Sequence, residues 1–373
     1  MLFIDLKSAF DTVDMNILLK KLEHYGFRGK ILKLLASYLK DRKQFVKCGD
    51  IESTLLSVVC GVPQGSVLGP LLFILYINDI ENCSAFESVL FADDAALLLA
   101  ADNIKKLKKF VNSEAKLLHE WLISNKLTLN LKKTKYMLFA NINVISQKAR
   151  KKFKITIGNY TIHEVDQIKY LGVILDRNLN WHAHVDYLVT KLSSAAGIMY
   201  KVRNYLPIDA RLLVYETLAK SYLQYGITAW GSCAPTTLNR LQTIQNRIIR
   251  NMTYSPPRTN LDSKYKTFKI MKVNELHRYE TAKFMHSVYN NCMPVAFQDY
   301  FHAIQHTYDT RTRSNAEYAV PCPRTERGKR SLTYVGVGVW SQIPQPMKGL
   351  SVKSFKYHIK EFILNNTETS LSL

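Results

Sequence analysis

The 373-residue sequence has six cysteines, and no two of them form a C-x-x-C pair. Cys48, Cys60, Cys83, Cys233, Cys292 and Cys322 are scattered, which indicates neither a zinc site nor a disulfide framework. A reducing, intracellular compartment is the simpler expectation. Long apolar runs are missing too: none reaches the ~18 uninterrupted residues that a membrane-spanning helix needs. Acidic residues are in deficit, 30 Asp and Glu against 51 Lys and Arg, for a formal charge of +21. That surplus favours a polyanionic partner, nucleic acid first and an anionic membrane surface second. The opening "MLFIDL" has no basic leader and no small-residue cleavage site, so no signal peptide is expected. It reads as a strand at once, as though something upstream were missing. There is no internal repeat and no low-complexity tract.

What is present is a globular composition, 47% hydrophobic and 22% charged, long enough for two or three domains. The first third alternates strands and helices. Asp14 is a candidate N-cap for "MNILLKKLEHYGF", whose apolar residues recur at helical spacing up to Gly26. "GKILKLLASYLKDR" reads as a second amphipathic helix, and "QFVKCG" and "LLSVVCGV" as strands. "SVLGPLLFILYINDI" reads as a buried helix entered through a Gly/Pro-rich turn. A hairpin over Val89–Leu99 follows, then a long helix from Asn103 and a strand "TKYMLFA". Lys148 to Lys154 holds five basic residues in seven positions. "FKITIGNYTI" reads as a hairpin around Gly158-Asn159, and "IKYLGVILD" as further strand. From Trp181 onward helices are expected over roughly 182–205, 209–225, 235–252, 274–291 and 351–364. A basic, Pro- and Gly-punctuated stretch up to Arg330 precedes the last of them.

Three carboxylates sit where charge is costly. Asp93 and Asp94 lie between "VLFA" and "AALLL", and Asp5 is flanked by Leu2, Phe3, Ile4 and Leu6. An Asp-Asp pair alone suits a solvated turn. Buried carboxylates, however, need a cation or strong donors. If the Asp5 strand lies beside the hairpin, the three converge into an oxygen-only cluster of the kind that suits paired Mg²⁺ ions. In a strongly basic protein that chemistry is phosphoryl transfer along a nucleic acid. Between the two elements, "GVPQGSVLGPLLF" offers glycines for close approach to a ligand and a helix start for phosphates or bases. A plain turn and helix would explain its apolar run but not the Gln64-Gly65-Ser66 cluster.

The ordered set "FIDLKSAFDTVD", "GVPQGSVLGPLLFILYINDI", "FADD", "NLKKTKYMLF" and "IKYLGVILD" resembles the palm motifs of reverse transcriptases. It is most similar to the enzymes of LINE-type non-LTR retrotransposons of the jockey group. The resemblance implies an RNA-directed DNA polymerase with an α+β fold: a right-hand palm of antiparallel sheet and packed helices, a helical thumb and a small C-terminal domain. The implied bounds are 1–177 for the palm with its primer-grip hairpin, 178–255 for the thumb and 256–373 for the basic C-terminal domain. Asp5 and Asp93 would bridge two Mg²⁺ ions, with Mn²⁺ as the alternative, Asp94 in a secondary role and Leu6 among the metal ligands. Phe10 matches the aromatic that selects dNTP over NTP. Gln64 and Gly65 match the turn that supports the incoming nucleotide and template base. Lys133 matches a lysine that protonates the leaving pyrophosphate, although it and its neighbours Lys132 and Lys135 could equally be solvated surface charges. "IKYLGV" matches the primer grip.

The implied partners are an RNA template, a DNA primer and dNTPs, with no membrane. The implied location is the nucleus at the integration site, after cytoplasmic ribonucleoprotein assembly. The family places fingers strands, and an endonuclease domain, before the strand of Asp5. Their absence here suggests an N-terminally truncated product that binds primer–template but extends it weakly. Nothing in the C-terminal region resembles an RNase H. Two rivals stand beside this reading: a catalytically silent, reverse-transcriptase-derived nucleic-acid-binding protein, and an unrelated basic structural protein.

Overall fold

Strand β1, Leu2–Asp5, is buried at Leu2, Phe3 and Ile4, as a central strand covered on both faces must be. The computed structural model in which it lies describes residues 1–139, 150, 152–303 and 317–366. Within these the chain divides into two compact units, Met1–Ile168 and Lys169–Leu373.

In the first unit β1 leads into helix α1 (Met15–His24), which begins where the spacing predicts. The Asp14 carboxylate accepts the N–H groups of Asn16 and Ile17 at 2.9 and 3.0 Å. Helix α2 follows over Gly29–Leu39. The two runs expected to be strands give only short ladders: β2 (Lys43–Gln44) pairs with β5 (Leu56–Ser57), and β3 (Lys47–Cys48) with β4 (Ile51–Glu52). Phe45, Val46, Ile51, Leu55 and Leu56 stay exposed here, so no buried face extends the pairing. Helix α3 spans Leu68–Ile77. It is buried at Gly69, Leu72, Phe73 and Tyr76 but exposed at Leu71 and Ile74, which corrects the expectation of a wholly buried helix. Its packing on one side covers a single stripe.

Strands β6 (Glu87–Phe91) and β7 (Asp94–Leu98) form the expected hairpin. Helix α4, Ile104–Ser124, is capped by the Asn103 side chain. Among the described residues of the expected strand "TKYMLFA", β8, Lys135–Tyr136, pairs as strand. Strands β9 (Ile155–Ile157) and β10 (Tyr160–Glu164) turn at Gly158-Asn159 as expected. These elements make a six-stranded sheet in the order β6-β7-β1-β8-β10-β9, antiparallel at every step except β8–β10. The α+β class expected from the sequence is therefore the one found. Lys148, Ala149 and Lys151 of the basic run lie outside the described residues; Arg150 pairs with Glu164 and Asp166.

A two-stranded sheet of β11 (Gln167–Tyr170) and β12 (Val173–Asp176) marks the passage to the second unit. The run "IKYLGVILD" turns between the two strands at Leu171 and Gly172, which take φ of 45° and 80°. Beyond it, helix His182–Val202 packs along helix Pro235–Thr253, burying Leu188, Leu192 and Met199 with Leu241, Ile248 and Met252. The expected helix after Pro207 is interrupted: Ile208–Tyr215 and Ser221–Gln224 flank a π turn at Glu216–Lys220. Helix Val273–Tyr289 contributes to a further core of Met285, Trp340, Phe355 and Ile359, closed by helices Leu332–Ser341 and Val352–Asn365. Part of the basic stretch before Arg330, residues 304–316, lies outside the described residues.

Candidate active site

Strand register brings the separated carboxylates together. Asp5 pairs with Asp94 across β1 and β7, and Asp93 is the second residue of the two-residue turn that joins β6 to β7. Ala92, the first turn residue, has φ of 50°, a conformation that costs an L-residue roughly 1–2 kcal/mol. The ladder also orients the main chain. On the other side of β1, Asn130 N–H donates to the Asp5 carbonyl and Lys7 N–H to the Thr128 carbonyl, both at 2.8 Å, around the bridge Leu6–Leu129. Leu6 is thus the non-hydrogen-bonded residue of that bridge. Its own carbonyl is directed away from Leu129, toward the side of the Asp93 turn. By the same alternation Asp5 and Asp94 form a non-hydrogen-bonded pair, the kind whose side chains stand closer together.

The electrostatics agree with convergence. Burial raises the Asp94 carboxyl above its ordinary value, the charges of Asp93 and Asp5 raise it further, and Lys133 opposes them. Lys133 Nζ lies 3.4 Å from Asp5 Oδ1. Its backbone is held by the same segment, since Asn130 C=O accepts the N–H groups of both Lys133 and Thr134. The buried Thr134 hydroxyl in turn accepts the Asp5 N–H at 3.4 Å. The donors available to a metal are oxygens with net negative charge, the set that hard divalent cations take. Mutual repulsion at Asp94 is the signature that a bound cation would reverse. The side chains have not closed on one point: among the described residues no group of three His, Cys, Asp or Glu is placed to hold a metal ion.

Phe10, Gln64 and Gly65 also share one neighbourhood. The Phe10 ring lies 4.5 Å from that of Phe73 and is half-buried. Val62 N–H donates to the Phe10 carbonyl at 2.9 Å, and Gln64 Nε2 to Asp11 Oδ1 at 2.7 Å. The turn between them is tight: Gly65 has φ of 73°, and a Cβ on Gly69 would sit 2.3 Å from the Pro63 carbonyl oxygen. Ser66 serves this turn, donating to that carbonyl and accepting the Gly69 N–H. Sequence reasoning missed Asp11, Asn130 and Thr134 as supports. Asn130 and Thr134 stand inside the quoted block "NLKKT", so the motif carried the signal, but their partner lies more than a hundred positions away.

Residues 1–175 match the family described as reverse transcriptase (RNA-dependent DNA polymerase). Among curated relatives, the probable RNA-directed DNA polymerase from transposon X-element of Drosophila melanogaster is 30% identical over 268 residues, covering 68% of this chain and 28% of that protein. The RNA-directed DNA polymerase from mobile element jockey of Drosophila funebris is 27% identical over 266 residues, with the same two coverages. The probable RNA-directed DNA polymerase from transposon BS of Drosophila melanogaster is 28% identical, covering 68% and 29%. A solved telomerase from Candida albicans, in complex with a TWJ fragment of telomeric RNA, aligns at 15% identity and a TM-score of 0.38 over 73% of this chain and 51% of its own. That likeness is too slight to bear on function. The chain is similar to RNA-directed DNA polymerases of non-LTR retrotransposons, and spans about 28% of the length of the relatives named first.

Proposed function

We propose that the chain carries the nucleotidyl-transfer centre of an RNA-directed DNA polymerase, extending a DNA primer on an RNA template with dNTPs. The observation that carries this reading is the register Asp5–Asp94 with Asp93 in the adjoining turn, in a domain of the reverse transcriptase family. Asp5, Asp93, Asp94 and the Leu6 carbonyl would hold the divalent ions, Mg²⁺ or Mn²⁺. Such ions, when bound, lower the cost of the charge that develops on the attacking and leaving oxygens. The chain's own residues do the rest. Gln64, fixed on Asp11, and Gly65 shape the floor for the incoming nucleotide, and Phe10, fixed against Phe73, borders its sugar. Lys133 is poised beside Asp5 to give a proton to the departing pyrophosphate as the primer 3′-hydroxyl loses its proton to solvent, its oxygen bonds to the α-phosphorus and the bond from that phosphorus to the bridging oxygen breaks. Positioning of this kind supplies much of the rate in phosphoryl transfer. A nuclear site of action belongs to the same proposal.

A second reading, nucleic-acid binding without synthesis, draws on the +21 charge and on the Lys133 ammonium that already neutralises part of Asp5. Primer extension on poly(rA)/oligo(dT) with Mg²⁺ or Mn²⁺ separates the two. Incorporation that Asp5→Asn abolishes supports the polymerase. Tight primer–template binding with no incorporation under either metal supports the silent protein.

A further inference from the structure

The second unit carries a column of alternating rings and guanidinium groups that the polymerase reading does not use. Arg203 Cζ lies 4.2 Å from the centroid of the Tyr200 ring and 5.0 Å from that of Tyr254, and Arg211 Cζ lies 5.2 Å from the same Tyr254 ring. Tyr254 is thus shared by two cations. It caps helix Pro235–Thr253 with φ of 54°, an unusual conformation for a bulky residue. Its hydroxyl lies 2.7 Å from the Arg203 carbonyl and 2.8 Å from Asn204 Oδ1, which ties the ring to the turn after helix His182–Val202. Arg211 is fixed from the other side, donating to the Met252 carbonyl.

Two properties set this column apart from ordinary surface packing. Neither arginine forms an ion pair among the described residues, and the Nε of each is buried with no hydrogen-bond partner. Two guanidinium groups on one ring, each with a buried N–H unpaired and no counter-charge, keep donor capacity and positive charge that an anion would take up. The rings, meanwhile, are open to solvent: Tyr200 is 57% exposed, Tyr254 52%, and Tyr205 in the adjoining turn 86%. Fixed cations interleaved with exposed aromatic faces match a strand of alternating phosphates and unstacked bases.

We infer that this column binds a single-stranded segment of nucleic acid, with phosphates on Arg203 and Arg211 and bases on Tyr200 and Tyr205. The site rests on charge and stacking in the second unit and not on the catalytic reading. Its test is fluorescence anisotropy of the full chain with a short fluorescein-labelled oligouridylate over a range of KCl concentrations. The double variant Arg203→Gln/Arg211→Gln should weaken binding and make the log–log salt slope shallower by about 1.4, at ~0.7 per lost single-strand contact. Tyr205→Ala, at a side chain too exposed to matter for folding, should weaken binding roughly five-fold or more at unchanged slope. Primer extension on poly(rA)/oligo(dT) by the same variants is read separately, so that failure here and failure of the polymerase reading show up apart. Photocrosslinking of wild type to a 5-iodouridine oligomer should label Tyr200, Tyr205 or Tyr254. A folded double variant with unchanged affinity and slope overturns the inference, as do crosslinks that fall wholly outside these residues. Phosphatidylserine vesicles that bind through Arg203 and Arg211 while the oligomer does not would also overturn it.

Discussion

Acid should weaken the second unit through two histidines. His184 is 1% exposed and His277 8%, and burial pushes both down to about 4, with the charge of Lys169 adding to the effect at His184. The geometry explains why His184 resists a proton. Its Nδ1 accepts the Ile174 N–H at 3.3 Å, and its Nε2 is buried with no partner. Protonation would break the first interaction and place a charge beside the Trp230 ring, 5.5 Å away. In the unfolded chain each histidine titrates near its usual value of about 6.5. Between the two values the unfolded state holds more protons than the folded one, so stability falls as pH falls through about 6.5 and stops falling below about 4. A displacement of that size amounts to about 3 kcal/mol per histidine, of which about 2 kcal/mol each is lost by pH ~5. Urea denaturation at pH ~7.5 and ~5 should therefore show wild type losing about 4 kcal/mol more than the double variant His184→Gln/His277→Gln. The variant will be less stable at neutral pH, but only the difference between the two pH values matters. An equal loss in both proteins would refute the reasoning.

Other outcomes follow from the first unit. Gly69→Ala should lower the melting temperature by several degrees, because its Cβ would meet the Pro63 carbonyl oxygen at 2.3 Å and overpacking costs about 1–3 kcal/mol; an unchanged melt would mean that the turn yields freely. Asp14→Ala removes the N-cap of α1 and the 2.6 Å contact to Lys126, and should cost about 1 kcal/mol in chemical denaturation. Asp14→Asn, which keeps a capping oxygen, should recover most of that loss, and failure to do so would assign the effect to Lys126.

Much of this architecture could be read locally, and what could not depended on distant partners. The β6–β7 hairpin, the N-cap at Asp14 and the helix from Asn103 are written in alternation, capping residues and helical spacing. Asp5, Asp93 and Asp94 stood out because charge interrupts apolar runs. Helix Leu332–Ser341 was not assigned, since "LTYVGVGVWS" has two glycines and an alternating pattern. It is helical because Gly336 lets it lie against Met285, where a Cβ would come within 2.8 Å of the sulfur. Phe45, Val46 and Leu55 raised strand expectations that exposure leaves mostly unrealised. Thr134 and Asp11 stood inside the quoted motif blocks, but their roles were not legible, because a polar residue in a turn looks the same whether or not it supports a site.

The central claim is that Asp5 and Asp93 act on one reacting phosphate as a unit. Its most direct test is single-turnover incorporation of one dNTP by wild type, Asp5→Asn, Asp93→Asn and the double variant, each first shown to bind primer–template normally. Residues that act as a unit are non-additive. Each single variant should lose roughly a thousand-fold or more in rate, the scale of one lost electrostatic element in an active site, and the double variant should lose no more than either alone. Losses that multiply, or a single variant that incorporates at the wild-type rate, would contradict the shared site.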